Sequence, residues 1–426
     1  MQDDPLQPVI LTFAEARHRV EHEAALLQAT ELESVDLLSA PGRVIGERVL
    51  ADRDFPPFPR STRDGYAVRS ADLSSVPAIL RVIGEIRAGQ QFDSIPANIE
   101  SGQAVSIMTG APVPTGTDTV VMVEDTVLRG QQVEIMRQGR TGENIVPRGA
   151  EARAGGVLVD QGARLCDSTI ALAASTGKSA LLVHRRPVVA VLATGDEIVQ
   201  VDAFPGPTQI RNSNSFSLAA QITSAGGNPL LLPIAPDEPS RLRSLILEGL
   251  KADLLILSGG VSMGRYDLVE AVLSDLKAEF FFTGAKIQPG RPIVFGRCAA
   301  GDQTLPGRKG HPRRHTYFFG LPGNPVSTMV TFELFVRPMV EALSGESPQE
   351  LRFVYAPLKA EVRVKPGLTR FLPAILSGEF EDSHVELVPW QGSGDIAATA
   401  RANCYLVISP DREKICPGEF IPVILR

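Results

Sequence analysis

Between Arg186 and residue 346 the chain alternates two kinds of segment, and this alternation restricts its fold more than any other feature. "PVVAVLATG" and "DLLILSGG" are continuous apolar runs, the pattern of strands covered on both faces. "NPLLLPIAP" reads as a further strand. "NSFSLAAQITSAGG", "EPSRLRSLILEGLKA" and "DLVEAVLSDL" carry helical spacing, the first closed by Gly226. Strands alternating with helices imply a parallel sheet in an α/β sandwich. "FFGLPGNPVSTMVTFELFVRPMV" returns to the sheet and runs into a long helix, with Asn324 as its N-cap and Pro325 in its first turn.

The flanks differ. Thr12 to Gln28 reads as a helix opened by a Thr12–Glu15 capping box. His18 and His22 lie one turn apart on it, on what reads as a solvated face. From Leu37 to Leu165 short β-rich runs alternate with Gly and Pro, and "DSTIALAASTG" follows as a short helix ending at Gly177. After Glu350 the chain is β-rich again, as in a small barrel or sandwich. A length of 426 residues exceeds one ordinary core, and the best boundaries fall near 185 and 347. "CAAGDQTLPGRKGHPRRHTYF" interrupts a hairpin as a basic, Gly/Pro-rich loop around His311. The formal charge of −7 argues against a nucleic-acid partner. No apolar run reaches membrane length, the acidic N-terminus is no signal peptide, and Cys166, Cys298, Cys404 and Cys416 form no metal-spaced set. The cytoplasm is the expected location.

In open parallel sheets, ligands bind beyond the C-terminal strand ends. "ATGDEIV" and "LSGGVSMGRYD" occupy two such ends. The Gly259-Gly260 pair and Ser262 suit an anion cradle, although glycine-rich turns also simply end strands. Asp267 equally fits an N-cap, with Glu270 completing a capping box. Gly177-Lys178-Ser179 imitates a phosphate loop, but it ends a helix where that motif must begin one. The carboxylates of Asp64, Glu124, Asp196, Glu197, Asp237 and Asp267 lie in such loops, and beside a phosphate they suggest Mg2+. Asp64-Gly65, in "FPPFPRSTRDGYAVR", is either a hairpin turn using φ > 0 or a carboxylate held in a proline-braced loop for chemistry.

"PFPRSTRDGYAV", "IMTGAPVPTGTDTVVMVED", "ATGDEIV", "LSGGVSMGRYD", "PGRPIVFG" and "LPGNPVS" occur in this order, and with the tail "WQGSGDIAATARANCYLVI" they resemble the MoeA-type molybdopterin molybdenumtransferases and the gephyrin E domain. The resemblance implies a multidomain fold of α/β plus β type. An N-terminal linker domain (1–58 and 145–185) would be interrupted by a β-rich domain (59–144). A molybdopterin-binding α/β domain (186–346) and a C-terminal β-barrel (347–426) would follow. It also implies a homodimer with sites shared between subunits. Mg2+ would assist, with molybdate and molybdopterin-adenylate as substrates, AMP as a product, and the pathway's molybdopterin adenylyltransferase as a partner. By position, Asp64 and Thr109 would close the site, and Glu197 and Asp267 would lie near metal and phosphate. Gly259, Gly260, Ser262, Asp237, Arg291, Pro322, Asn324 and Pro325 would bind substrate. Arg63, Arg265, Arg291 and Glu151 depart from the usual pattern. An adenylyltransferase, a non-enzymatic scaffold and a tungsten-inserting relative are the rival readings.

Overall fold

The computed structural model describes residues 8–91, 98–260, 268–299, 315–346 and 349–426. Its central sheet runs, edge to edge, through Asn228–Leu231, Val188–Ala193, Leu254–Ser258, His315–Leu321, Val294–Ala299 and Glu279–Phe282. The first four strands are parallel, as expected. The last two pairings are antiparallel: Val294–Ala299 runs against His315–Leu321, its hairpin partner with Ala299 opposite His315, and against the edge strand Glu279–Phe282. The basic loop around His311 lies outside the described residues.

Both faces of this sheet are covered. Val189, Val191, Leu254 and Ile256 point to one side, where they meet Leu218 and Ile222 of the helix Asn214–Ser224. Ala190, Leu192, Leu255 and Leu257 point to the other, against Leu242 and Ile246 of Pro239–Gly249 and Leu273 of Leu268–Asp275. Consecutive residues thus serve opposite cores, so the runs show no polar alternation. Each fully buried aliphatic side chain stabilises the fold by about 1.5–3 kcal/mol before entropy is counted.

The first helix spans Phe13–Ala25, and its Thr12–Glu15 capping box is formed. Ala16, Val20 and Ala24 pack in the core of the α/β sheet rather than with the rest of the N-terminal region. The long helix expected after "LPGNP" begins at Pro325 and reaches Leu343, but Phe332–Val336 forms a π-helical turn. Buried Arg17 donates from Nη1 to the Leu334 carbonyl within that turn at 2.6 Å and from Nη2 to the Gln349 carbonyl at 3.0 Å. A π turn interrupts the regular ladder, and here a cation from another helix serves a carbonyl in it.

Residues 32–61 and 145–184 form a nested ladder. Leu32–Asp36 pairs with Ala180–His184, Val49–Leu50 with Val157–Val159, Phe55 with Ala152, and Arg60–Ser61 with Ile145–Val146. The outgoing and returning chain therefore make one arm. Between its strands, residues 65–135 fold into a six-stranded sheet, in the order Thr119–Met122, Gly65–Val68, Gln103–Ile107, Ala78–Ile86, Gln132–Ile135, Thr126–Arg129. Its alternate residues fill two cores, with Tyr66 and Val68 on one face and Ala67 and Val105 on the other.

Gly65 corrects the turn reading of Asp64-Gly65. It is a strand residue flanked by two neighbours, its φ is not positive, and a Cβ there would fall on the Val121 carbonyl oxygen. Close approach of two backbones, and no left-handed turn, is what requires glycine here.

The C-terminal strands close into a barrel. His384–Leu387, Thr369–Ser377, Cys404–Ile408, Phe420–Leu425 and Val354–Pro357 pair in that order. The Leu358–Val385 bridge then joins the last strand to the first. Leu372, Leu406, Ile408 and Val423 fill its interior. No described helix is long and apolar enough to cross a membrane.

Candidate functional site

A cavity of about 380 Å3 opens beyond the C-terminal ends of Val188–Ala193 and Leu254–Ser258. Gly259 and Gly260 form its floor with φ of +93° and +65°, in the left-handed region that glycine enters freely. A Cβ on Gly259 would lie 2.7 Å from the Thr194 carbonyl oxygen, and one on Gly260 2.9 Å from the Thr194 hydroxyl. Both conformation and space therefore demand glycine. The Thr194 hydroxyl and the Asn214 side-chain oxygen are buried without a protein partner, although both residues line the cavity. Buried polar atoms are normally paired, so these two are free for a ligand.

Two helices begin at the cavity, Asn214–Ser224 and the long helix at Pro325. Their N-termini bring partial positive charge, the usual surroundings of a bound anion. Asn212 accepts the Ser215 N–H at 3.1 Å and opens the first. Asn214 then donates from Nδ2 to Ser258 Oγ at 3.0 Å and to the Gly323 carbonyl at 2.7 Å, tying the strand end to the "LPGNP" turn. Thr328 braces that turn by donating to the Pro322 carbonyl at 2.5 Å. Asn324 occupies the N-cap position, but its side chain makes no capping bond. Its Nδ2 instead donates to Ser393 Oγ of the barrel at 2.9 Å, so a tertiary partner has displaced the local one.

Of the residues singled out in the sequence, Glu197, Gly259, Gly260, Pro322, Asn324 and Pro325 line this one cavity. Asp237 stands nearby, its N–H donating to Asp196 Oδ1 at 3.1 Å. Burial first, and then the charges of Asp196 and Glu197, push the Asp237 carboxyl above the usual range. Arg291 borders an adjoining cavity instead. Ser262, Arg265 and Asp267 lie outside the described residues. Among the described residues no group of three or more His, Cys, Asp or Glu side chains is placed to hold a metal ion.

Asp64 and Thr109 come together, away from this cavity's lining. Asp64 Oδ1 accepts the Thr109 N–H at 2.6 Å and the Thr109 hydroxyl at 2.8 Å. These two bonds, the backbone one first, hold the exposed carboxyl below its usual range. Glu151 pairs with Arg60 on the arm at 2.8 Å, and exposed Arg63 bonds through its backbone to the Ser61 hydroxyl. Lys178, of the imitation phosphate loop, pairs with Glu47 at 2.8 Å. His18 and His22 are exposed, as expected. Arg211, Asn212 and Asn214 escaped sequence reasoning, although the run of short polar side chains in "RNSNS" before a helix was an available signal.

Comparison with known proteins decides the kinship. Residues 11–177 match the MoeA N-terminal region (domain I and II), 190–342 the probable molybdopterin binding domain, and 355–425 the MoeA C-terminal region (domain IV). A molybdopterin molybdenumtransferase from Bacillus subtilis is 32% identical over 93% of this chain and 90% of its own length. One from Haemophilus influenzae is 31% identical over 97% of this chain and 98% of its own. The chain belongs to the MoeA family. Its fold agrees: a crystal structure of the MoeA protein from Pyrococcus horikoshii superposes with a TM-score of 0.76 at 25% identity, covering 98% of this chain and all of that one. Another MoeA crystal structure from that organism gives 0.69 at 29% identity over 98% of this chain and 99% of its own.

Proposed function

We propose that this chain is a molybdopterin molybdenumtransferase of molybdenum cofactor biosynthesis, moving molybdenum from molybdate into adenylylated molybdopterin with release of AMP. The observation that carries this reading is MoeA kinship along nearly the whole chain, joined to a strand-end cavity suited to anions. Gly259 and Gly260 leave backbone open to a phosphate, the Thr194 hydroxyl offers an unused donor, and Arg211 adds a cation to the wall. Pro322, Pro325, Asn324 and Thr328 fix the turn that orients the ligand, and Asn214 anchors it.

The donor chemistry fits Mg2+. Glu197 on the cavity wall is a hard oxygen donor, and Mg2+ typically takes only one or two carboxylates, with substrate phosphates supplying further oxygens. Glu197 is the assigned ligand, with Asp267 as the second. When bound, the ion neutralises phosphoanhydride charge. Glu197 and Asp237 orient the polar end of the ligand, and Ser262 contributes to the phosphate loop.

Asp64 and Thr109 belong to this reading through a homodimer, in which the pair from one subunit closes over the cavity of the other. Their exposure and their distance from the lining support that arrangement. The boundaries proposed are 1–58 with 145–185, 59–144, 186–346 and 347–426, supported by the nested arm and the closed barrel. Placement in the cytoplasm and contact with the pathway's adenylyltransferase complete the proposal.

The test is AMP release from molybdopterin-adenylate by purified protein. Release should require molybdate and Mg2+, and release indifferent to molybdate would refute the reading. Tungstate in place of molybdate measures metal choice. Mixing inactive Asp64→Ala and Glu197→Gln proteins should restore about a quarter of the activity through hybrid dimers if subunits exchange freely and sites are shared.

A further inference from the structure

A second cavity is bordered by Arg291. It holds about 280 Å3 where the α/β core meets the barrel. Ile287, Pro289 and Leu368 form an apolar wall, and Gln288 and Ser393 add polar groups. Trp390, the single tryptophan of the chain, also lines it. Trp390 is half-buried and packs against both cores, so its ring is held from two sides.

This cavity adjoins the anion cavity, since Pro292, Pro322 and Asn324 line both. The shared rim is tied down. Asn324 donates to Ser393 Oγ at 2.9 Å, and the Val326 N–H donates to the Ser393 carbonyl at 3.0 Å. The two compartments differ in chemistry. One offers left-handed glycines, helix N-termini and an unused hydroxyl. The other offers a fixed indole, aliphatic walls and a few hydrogen-bonding groups. A ligand spanning the Pro322–Asn324 turn would meet phosphate chemistry on one side and flat-ring chemistry on the other.

We infer that the Trp390 cavity is a heterocycle subsite, which takes a flat nitrogen-containing ring joined to the phosphate held over Gly259-Gly260. This rests on the function proposed above, because molybdopterin-adenylate carries such a ring at each end, adenine and pterin. Stacking on an indole accepts either π-face. Exposed Arg291 at the rim presents its guanidinium to the ring edge or the linking phosphate.

The experiment measures binding of AMP, neopterin phosphate and ribose 5-phosphate by calorimetry, in full-length wild-type protein and in Trp390→Ala. A ring seated on Trp390 makes one ring ligand bind at least about fivefold more weakly to the variant, with ribose 5-phosphate unchanged. Whichever ring ligand responds identifies the half of the substrate in this subsite. Ring phosphates that bind wild-type no more tightly than ribose 5-phosphate, or that lose nothing in the variant, overturn the inference. If Trp390→Ala does not fold, wild-type fluorescence decides, because all tryptophan emission comes from this cavity. Saturable change with a ring ligand but not with ribose 5-phosphate supports the subsite, and binding of ring ligands without change overturns it. Molybdate-dependent AMP release is measured on the same wild-type sample. If release is intact while Trp390 is indifferent, only the subsite fails. If release is absent, the functional reading fails and the subsite with it.

Discussion

Replacing Gly259 with alanine tests the anion cradle directly, and its cost divides into two parts. An L-residue in the left-handed region costs about 1–2 kcal/mol. The new Cβ would also lie 2.7 Å from the Thr194 carbonyl oxygen. That carbonyl is backbone continuing the strand Val188–Ala193, so it cannot swing aside as a side chain would. Forcing the loop outward by a few tenths of an ångström adds about 1–2 kcal/mol, as overpacking generally does. Gly130 provides the control, because its φ is +60° but a Cβ there meets nothing within 4 Å. Gly130→Ala should therefore carry only the backbone part. In urea unfolding followed by circular dichroism, Gly259→Ala should lose roughly 1–2 kcal/mol more than Gly130→Ala. Only Gly259→Ala should also lose turnover, by about ten- to a hundredfold, because the cradle moves relative to the reacting phosphate. Equal unfolding free energies for the two variants, with wild-type turnover in Gly259→Ala, would refute the argument.

Other consequences can be measured separately. The Asp64 carboxyl should titrate below the usual aspartate range in a carbon-detected NMR titration, so the stability from its bonds to Thr109 is present at neutral pH and is lost as pH falls through the depressed value. Thr109→Ala should move the midpoint part of the way back up, since the backbone bond remains; an unchanged midpoint contradicts the hydroxyl's share. Arg17→Met should destabilise the chain by about 2–3 kcal/mol, because it leaves the Leu334 carbonyl without its charged donor, and a loss under about 0.5 kcal/mol would show that water replaces it. Exposed Cys166, whose thiol is drawn down to about 7 chiefly by the Ser168 hydroxyl, should alkylate with iodoacetamide at a midpoint near that pH, while buried Cys298 and Cys404 stay slow. Ser168→Ala should shift the midpoint upward.

The α/β sheet was legible in the sequence because its information is local. "PVVAVL" and "DLLILS" are apolar on both faces, and each following helix carries its own period. The Thr12–Glu15 box is equally local and formed as expected. Misreadings arose where a distant segment decides. Asp-Gly resembles a turn until Val121 is known to lie against Gly65. Asn324 stands at the N-cap as expected, but Ser393, 69 residues on, takes its amide in place of a capping bond. Asn214 passed as an ordinary helix start because its partners, Ser258 and Gly323, are 44 and 109 residues away. The left-handed turn at the strand end was legible from the glycine pair alone, since only glycine tolerates that backbone. The hydroxyl beneath it was legible only as part of a polar loop, since nothing local shows that Thr194 lacks a partner.

The nested arm also fixes an order of events during synthesis. The six-stranded sheet at its far end has all its strands once residue 135 has been made, whereas the base of the arm waits for Ala180–His184 to reach Leu32–Asp36. At roughly 5–20 residues per second, that leaves several seconds in which the far module can fold while the first strand of the arm has no partner. A prefolded module also brings the two arms of the ladder close together, shortening the loop each rung must close. The ladder can then zip from Ile145–Val146 back toward the base, so the last rung formed is the one that joins the chain to its α/β core.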